Sequence, residues 1–435
     1  MPNIVTVNVS QQVASAPSQL QKTGALISTG GTNLAANSSS FLTSAADLAA
    51  LLAAPLALSS LSWAGGVVTA TAAAALPYAV SDTVDLTIAG ATPAGYNGEF
   101  TCTITGANTF TYPLASDPGM ETVPGTWLPG SVSELQQMVN TFFAQASAAQ
   151  GVYVLELGPK GPVEAITALA AYIATPPAGA VRFYSFLTPR SFDGQTSFVT
   201  LAGLHDSPTS ELYFFVTTTL ANLSTYANKK SVYAVLENPA VPETEFSAAA
   251  FLFVALNYAP SSANLVAPNE WSYLYGVTAY PLTNAQATTA KAAGGNWVGT
   301  GAEGGISNTL IVGGQTMDLH PFNYWYSVDW LQINAAQALA AAVINGSNTP
   351  TNPLYYNQAG INVLQKVTQT VVNNGISFGL ILPPAPVTAV PFSTYIKQNP
   401  NDYAIGKYAG LACTFAPARG FDSIVLNLTA TNIPV

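Results

Sequence analysis

The hydrophobic pattern of this 435-residue sequence changes twice, at about residues 65 and 129. Between these points, short runs of alternating apolar and polar residues are separated by turn clusters such as PAGYNGE and GAN. Alternation with a period of two predicts β-strands. After residue 129, strand-like runs such as VYVLEL alternate with helix-like runs such as EAITALAAYIA, which predicts crossover connections and a largely parallel sheet. The sequence therefore predicts an α+β fold: a mixed α/β core with an inserted all-β domain.

The distribution of charge supports the same division. The sequence has no Lys or Arg between Lys22 and Lys160, and residues 65–128 carry five acids. These acids are Asp82, Asp85, Glu99, Asp117 and Glu121. We predict an N-terminal strand arm and linker over 1–22, a core over 23–64 and 129–435, and an all-β insertion over 65–128. The last part of the core, about 420–435, is predicted to be a second strand arm.

Several helices have recognisable ends. Ser131 and Glu134 fit a capping box that opens a helix running to about residue 150. The stretch 246–258 is apolar on every side, which predicts a buried helix. Two longer helices are predicted over 322–345 and 358–374. Asp329 falls on the first of these, among apolar residues, and must find a partner if it is buried.

The scarcity of charge excludes some functions. Only 7% of the residues are charged and the net charge is −10, so eleven cations cannot form the basic surface that nucleic-acid binding needs. The most apolar stretch, 45–58, is interrupted by Asp47 and Pro55 and is too short to cross a bilayer. The N-terminus lacks the pattern of a signal peptide, so we expect a cytosolic translation product. Low charge also suggests that other subunits cover much of the surface, since a monomer normally needs charge for solubility.

The sequence offers no strong catalytic or metal-binding pattern, and we expect no enzyme activity and no cofactor. The segment 299–304 matches GxGxxG, but the residues after it resemble a hairpin that turns at Gly313 and Gly314 rather than the helix of a nucleotide site. His205 and His320 are expected to be structural, and the two cysteines are too far apart in sequence to suggest a metal site. Two acid pairs, Glu243 with Glu245 and Asp318 with Asp329, have no diagnostic spacing.

Both ends of the chain have strand patterns. At the N-terminus Val5, Val7 and Val9 alternate with polar residues and precede a Ser/Gln/Ala/Pro linker. At the C-terminus the pattern covers 423–430, including Ile424, Val425, Leu426 and Leu428. A short isolated strand leaves unpaired backbone N–H and C=O groups. Each end therefore either folds back on its own chain or adds to the sheet of a neighbouring molecule.

The C-terminal half contains the region 275–284 and the segments AAGGNWVGTGAEGG, TMDLHPFNYWYSVDWLQINAAQAL and NPLYYNQAGINVLQKVTQTVVNNGI. These residues carry a resemblance to the tail sheath proteins of contractile-tailed bacteriophages. It covers roughly 20–60 and 130–435, with the best agreement after residue 270. The helix start at 326–331, which contains Asp329, and the glycine-containing helix at 360–374 follow the order found in that family. The stretches PAGYNGEF and TFTYPLASDPG resemble small β-domains inserted in phage structural proteins.

The resemblance implies a structural subunit of the virion, assembled in the bacterial cytoplasm. Such subunits form hexameric rings that stack around a tail tube and contract to drive it through the host envelope during genome ejection. The implied partners are further copies of the chain, the tube protein, and baseplate and tail terminator proteins, without nucleic-acid binding or membrane insertion. Exchange of the two terminal strands between subunits would hold the rings together. The inserted domain would face outward, and Lys397, Lys407 and Arg419 would meet the tube.

Two other functions stay open at this stage. The β-domain could belong to a carbohydrate-binding or hydrolytic phage surface protein that holds its ligand through Tyr96, Tyr112 and Trp127. Alternatively, the chain could form a non-contractile shell or surface layer, which the low charge also suits.

Overall fold

The computed structural model describes residues 19–145, 150–241, 244–301, 307–349 and 353–422, together with residues 424 and 426. The chain divides into two compact units, one containing 18–258 and 271–320 and the other containing 259–270 and 321–435 with the N-terminal 17 residues. The predicted α+β class agrees with the helices and strands of both units.

The larger unit contains fourteen strands and five α-helices in the residues just given. The strands are β1 (Gly24–Ser28), β2 (Ser38–Leu42), β3 (Leu56–Ala64), β4 (Val67–Ala72), β5 (Thr83–Ala89), β6 (Gly98–Ile104), β7 (Thr109–Pro113), β8 (Thr126–Pro129), β9 (Val152–Glu156), β10 (Ser185–Leu187), β11 (Tyr213–Thr218), β12 (Val232–Leu236), β13 (Asn296–Thr300) and β14 (Thr309–Val312). The helices are α1 (Ser131–Phe143), α2 (Pro162–Ala174), α3 (Thr196–Leu204), α4 (Ser247–Leu256) and α5 (Asn284–Ala292).

Eight of these strands form one sheet in the order β14-β13-β12-β11-β10-β1-β9-β2. The six strands from β13 through β9 in this order run parallel to one another, whereas the edge strands β14 and β2 pair antiparallel with β13 and β9. Central strands such as β11 and β12 are buried along their whole length, as expected when both faces of a parallel sheet are covered. The parallel sheet predicted from the alternation of strands and helices is confirmed.

Helix α4 is the most deeply buried helix of this unit. Nine of its ten residues are buried, and its sequence, SAAAFLFVAL, is apolar on every side. It packs on α1, where the rings of Phe142 and Phe253 meet edge to face with centroids 5.2 Å apart. The prediction of a buried helix in this region is confirmed.

The strands β3 to β8 close into a six-stranded antiparallel barrel in the order β3-β4-β7-β6-β5-β8. Inward residues of the barrel form their own core, in which Val68, Leu86, Cys102 and Phe110 are fully buried. The alternating runs predicted after residue 65 are strands, but the barrel begins earlier, at Leu56. The strand pattern of β3 was missed because a register shift between Leu58 and Ser60 breaks its alternation.

Two local predictions are wrong. Helix α1 has Gly130 as its N-cap and no side-chain cap, so Ser131 does not open a capping box, and the helix ends at Phe143 rather than near residue 150. The hairpin after the GxGxxG motif is also placed differently. β13 and β14 pair antiparallel. The first two residues of the motif, Gly299 and Thr300, end β13, and Gly313 and Gly314 follow β14 instead of forming its turn. From residue 307 onward the described chain enters β14 and not a helix, which is not the geometry of a nucleotide site.

The smaller unit is built on two long helices, α6 (Phe322–Ser347) and α7 (Gln358–Ser377). Both predicted helices are confirmed, each slightly longer than expected. The remaining elements are β15 (Ile381–Leu382), β16 (Val387–Ala389), α8 (Phe392–Gln398), α9 (Pro400–Ala404), β17 (Leu411–Cys413) and β18 (Ala416–Pro417). Two short antiparallel sheets result, β15 with β18 and β16 with β17. They hold the C-terminal part of the chain beside the helices.

Candidate assembly surfaces

The C-terminal segment is held by the smaller unit up to Ala418. β18 pairs with β15, the backbone N–H of Ala418 donates to the carbonyl of Leu380 at 2.9 Å, and the side chain of Asn323 donates to the carbonyl of Ala418 at 3.0 Å. Beyond this point, three large apolar side chains of the described residues are exposed: Phe421 by 81%, Ile424 by 80% and Leu426 by 75%. Neither Ile424 nor Leu426 belongs to a strand of this chain.

The other residues predicted to exchange between subunits cannot be placed. Val5, Val7 and Val9 at the N-terminus, and Val425 and Leu428 at the C-terminus, lie outside the described residues. Their role stays a prediction from the alternating sequence pattern.

An apolar groove of about 250 Å³ lies in the same unit. Val328, Leu331 and Ala335 of α6 line one side of it, and Val372 of α7 and Phe415 line the other. The neighbouring strand β17 pairs with β16, and within the described residues it pairs with no other strand. An open strand edge beside an apolar groove is the geometry that accepts an added strand and its side chains.

The three cations predicted to meet the tube are all exposed. Lys397 lies in the last turn of α8. Lys407 forms an ion pair with Asp402, with 3.7 Å between Nζ and Oδ1, and the guanidinium of Arg419 lies 5.4 Å from the centroid of the Tyr324 ring. Exposed ion pairs of this kind contribute about 0–1 kcal/mol, so Lys407 could exchange its partner at small cost.

Asp329 is completely buried on α6. It lies among buried apolar neighbours of the same helix, including Trp325, Tyr326 and Trp330. Because its side chain is fully buried, Asp329 belongs to the interior of the unit and is not available to another protein.

A second buried carboxylate, Glu156, was not anticipated from the sequence. It ends β9 with 1% of its surface exposed and accepts five hydrogen bonds. Oε1 accepts from the backbone N–H groups of Gly30 and Gly158 at 2.7 and 2.6 Å. Oε2 accepts from Ser28 Oγ at 2.7 Å and from the N–H and Oγ1 of Thr32 at 3.1 and 2.7 Å. This carboxylate therefore fixes the loop that follows β1 against the end of β9.

Arg190 is the centre of a second polar cluster that the sequence did not reveal. Its guanidinium donates through Nε and Nη2 to the two carboxylate oxygens of Glu237, at 2.8 and 2.5 Å, and through Nη1 to Gln137 Oε1 at 3.0 Å. Glu134 accepts from the Arg190 backbone N–H at 2.8 Å, and the Phe246 ring centroid lies 4.4 Å from the guanidinium carbon. The partners are distant in sequence, so no local motif marks the cluster.

Burial and charge act in opposite directions in this cluster. Burial raises the pKa of Glu134 to about 7, although the positive charge of Arg190 and a hydrogen bond from its backbone lower it. Burial lowers the pKa of Arg190, but the hydrogen bond to Glu237 and the negative charges of Glu237, Glu134 and Glu99 together raise it above its ordinary value. Both residues line a cleft of about 260 Å³ that also includes Asp85 and Glu99 of the barrel and Lys160.

The three aromatic residues considered as a carbohydrate platform are in the barrel core. Tyr96, Tyr112 and Trp127 are exposed by only 2%, 1% and 2%. Tyr96 and Tyr112 use their hydroxyl groups internally, donating to the carbonyls of Gly119 and Tyr96 at 2.8 and 3.2 Å. The hypothesis that these side chains hold a sugar is therefore wrong, because a ligand cannot reach them.

Searches for two further kinds of site were negative. In the described ranges, no group of three or more His, Cys, Asp or Glu side chains is arranged to hold a metal ion. The same residues include no helix with the length and apolarity needed to span a bilayer.

Comparison with known proteins gave matches in structure alone. No family model matches the sequence, and no curated protein matches it. Among solved structures, the fold is similar to a sheath tail protein from Listeria innocua, with 11% identity, a TM-score of 0.45, and coverage of 91% of this chain and 94% of the other. A sheath tail protein from Desulfitobacterium hafniense is 11% identical, with a TM-score of 0.42 and coverage of 95% of this chain and 100% of the other. A chain of the anti-feeding prophage baseplate in its contracted state is 12% identical, with a TM-score of 0.47 and coverage of 99% of this chain and 98% of the other.

Proposed function

We propose that this protein is the structural subunit of a contractile phage tail sheath. The observation that carries the proposal is the C-terminal segment, whose large apolar side chains Phe421, Ile424 and Leu426 are three-quarters or more exposed. Burying such side chains is worth about 1.5–3 kcal/mol each, so a neighbouring subunit that covers them would gain stability. The sequence resemblance to sheath proteins and the charged fraction of only 7% support the same function.

In this proposal each subunit donates its C-terminal strand to the next. The strand adds to the free edge of β17, and Ile424, Leu426 and Leu428 fill the groove between α6 and α7. The N-terminal strand, with Val5, Val7 and Val9, adds to another neighbour. Backbone hydrogen bonds give such a junction affinity while pockets for alternate side chains give it specificity.

The assembled subunits form hexameric rings stacked around the tail tube in the virion. Contraction is a change between two packings of the same subunits and needs no cofactor. Lys397, Lys407 and Arg419 meet the tube through weak contacts that are released on contraction, the acidic barrel faces outward, and the shortened sheath drives the tube through the envelope for genome ejection. Baseplate and terminator proteins bind the two ends of the stack, and assembly occurs in the bacterial cytoplasm.

Truncation and groove filling test the strand junctions. Deleting residues 1–16 or 420–435 should leave a folded protein, by circular dichroism, that no longer forms cohesive tubes in electron micrographs. Ala335→Trp should fill the groove and also abolish tubes, whereas Ala336→Trp, which changes the adjacent position outside the groove, should not. Normal tubes from both truncated proteins and from Ala335→Trp would refute strand exchange.

A further inference from the structure

Trp271 has an unusual backbone conformation. Its φ angle is +68°, a left-handed value that bulky residues rarely adopt. The backbone explains how it is held: the N–H of Trp271 donates to the carbonyl of Ile311 at 3.0 Å, and the N–H of Ile311 donates to the carbonyl of the next residue, Ser272, at 2.9 Å. Trp271 and Ser272 thus lie opposite the single residue Ile311. This arrangement is a β-bulge, which changes the direction in which a side chain points.

The bulge begins a group of exposed aromatic side chains. Trp271, Tyr273 and Tyr275 are exposed by 45%, 50% and 46%, and we call them the aromatic patch. Their backbone is fixed, since Leu274 donates to the carbonyl of Thr309 at 2.9 Å and Tyr275 donates to Gln145 Oε1 at 2.9 Å. The ammonium group of Lys291 lies 5.7 Å from the centroid of the Trp271 ring. Trp and Tyr on a rigid backbone are typical anchors of protein interfaces.

A loop of the barrel has the complementary properties. Among the large apolar side chains of the described residues, Met120 is the most exposed, at 86%. It lies between Asp117 and Glu121, and the barrel carries no cation to balance these acids. We call residues 117–121 the Met120 loop.

The Met120 loop is as firmly held as the aromatic patch. Tyr96 Oη donates to the carbonyl of Gly119 at 2.8 Å. Glu121 Oε2 accepts from the backbone N–H of Leu61 at 3.0 Å, and Asp117 Oδ1 accepts from the N–H of Gly119 at 2.9 Å. A loop fixed in this way loses little conformational entropy on binding.

We propose that the Met120 loop of one copy docks on the aromatic patch of a second copy. Methionine sulfur makes favourable contacts with aromatic rings, and the acids beside Met120 meet Lys291 beside Trp271. Copies with a net charge of −10 repel one another in general, so the pairing of a cation with two acids selects this orientation. The two surfaces differ, and contacts of this head-to-tail kind build rings or helical arrays. The contact rests on the proposed self-assembly and gives it a specific interface.

Disulfide cross-linking between two differently tagged copies tests the contact without requiring tubes. One copy carries Met120→Cys and the other Tyr273→Cys, both in a Cys413→Ser background, since Cys102 is buried. Mild oxidation should give a linked heterodimer in several-fold higher yield than a control pair in which Val80→Cys, another exposed barrel position, replaces Met120→Cys. A yield no higher than the control would overturn the proposal, whether or not the wild-type protein forms tubes.

Charge reversal tests the orientation. Lys291→Glu in the Tyr273→Cys copy should reduce the cross-link several-fold, whereas Lys291→Arg, which keeps the positive charge, should leave most of it. An undiminished yield with Lys291→Glu, or an equal loss with Lys291→Arg, would contradict the pairing of these groups when both proteins are folded by circular dichroism. If the cross-link forms but the wild-type protein makes no tubes, the contact between the Met120 loop and the aromatic patch is supported and the sheath function is refuted.

Discussion

Replacing Glu156 tests the view that one buried carboxylate fixes the loop between β1 and β2. Glutamine has nearly the same shape, but its amide group accepts hydrogen bonds through one oxygen only. With the amide nitrogen in the place of Oε2, the oxygen still accepts from Gly30 and Gly158. The hydroxyl groups of Ser28 and Thr32 can rotate to accept from the nitrogen, but their own hydrogens and the backbone N–H of Thr32 then lose residue 156 as their acceptor.

The structure therefore predicts different costs for two substitutions. Each buried donor without a partner costs about 1–3 kcal/mol. The hydroxyl hydrogens can turn elsewhere but the backbone N–H of Thr32 cannot, so Glu156→Gln should lower the free energy of unfolding by about 2 kcal/mol or more. Glu156→Ala removes the acceptor of all five hydrogen bonds, and several unpaired buried donors should cost about 5 kcal/mol or more. Glu164 is an exposed acid on α2, and Glu164→Gln should change stability by less than about 0.5 kcal/mol.

Urea unfolding followed by tryptophan fluorescence measures these differences, and hydrogen exchange locates them. Peptides covering residues 28–34 and 154–160 should exchange faster in Glu156→Gln than in the wild type, while peptides of the barrel should be unchanged. Equal stability of the glutamine and alanine variants, or a cost of Glu156→Ala below about 1 kcal/mol, would refute the reasoning.

Two further predictions concern the Arg190 cluster and the barrel core. The pKa of Glu134 is raised to about 7 from the ordinary 4.5 of a glutamate side chain, so the folded chain holds an extra proton between these two pH values. Stability should therefore fall as pH rises from about 4.5 to 7, by up to about 1.4 kcal/mol per pH unit, and this part of the slope should vanish in Glu134→Gln; parallel profiles from urea unfolding would contradict it. Trp127→Ala should cost about 3–5 kcal/mol, seen as a loss of barrel protection in hydrogen exchange, and a variant as stable as the wild type would show that Trp127 is not packed as described.

Local sequence patterns predicted most of the secondary structure. Helix α4 was recognised because an all-round apolar segment of helical length has to be buried, and α6 and α7 were recognised from their length and polarity. Strand β3 was missed because its bulge interrupts the alternation between Leu58 and Ser60. The cap of α1 was misread because Glu134 is used by Arg190 rather than by the start of its own helix.

The polar clusters could not be predicted for a different reason. Glu156 is held by residues 28–32, about 125 positions earlier in the chain. Arg190 follows β10, whereas its partner Glu237 follows β12. Such contacts depend on the order of strands in the sheet, which the sequence pattern does not specify. The exposed Met120 and Trp271 were also missed, since exposure of an apolar side chain follows from tertiary packing and not from its neighbours in sequence.

Electron microscopy of the purified full-length protein tests the central proposal most directly. At high protein concentration the chain should assemble into hollow tubes of stacked six-membered rings, and removal of residues 420–435 should leave folded protein without tubes. A protein that stays monomeric under all conditions, or that forms flat sheets instead of tubes, would contradict the sheath function.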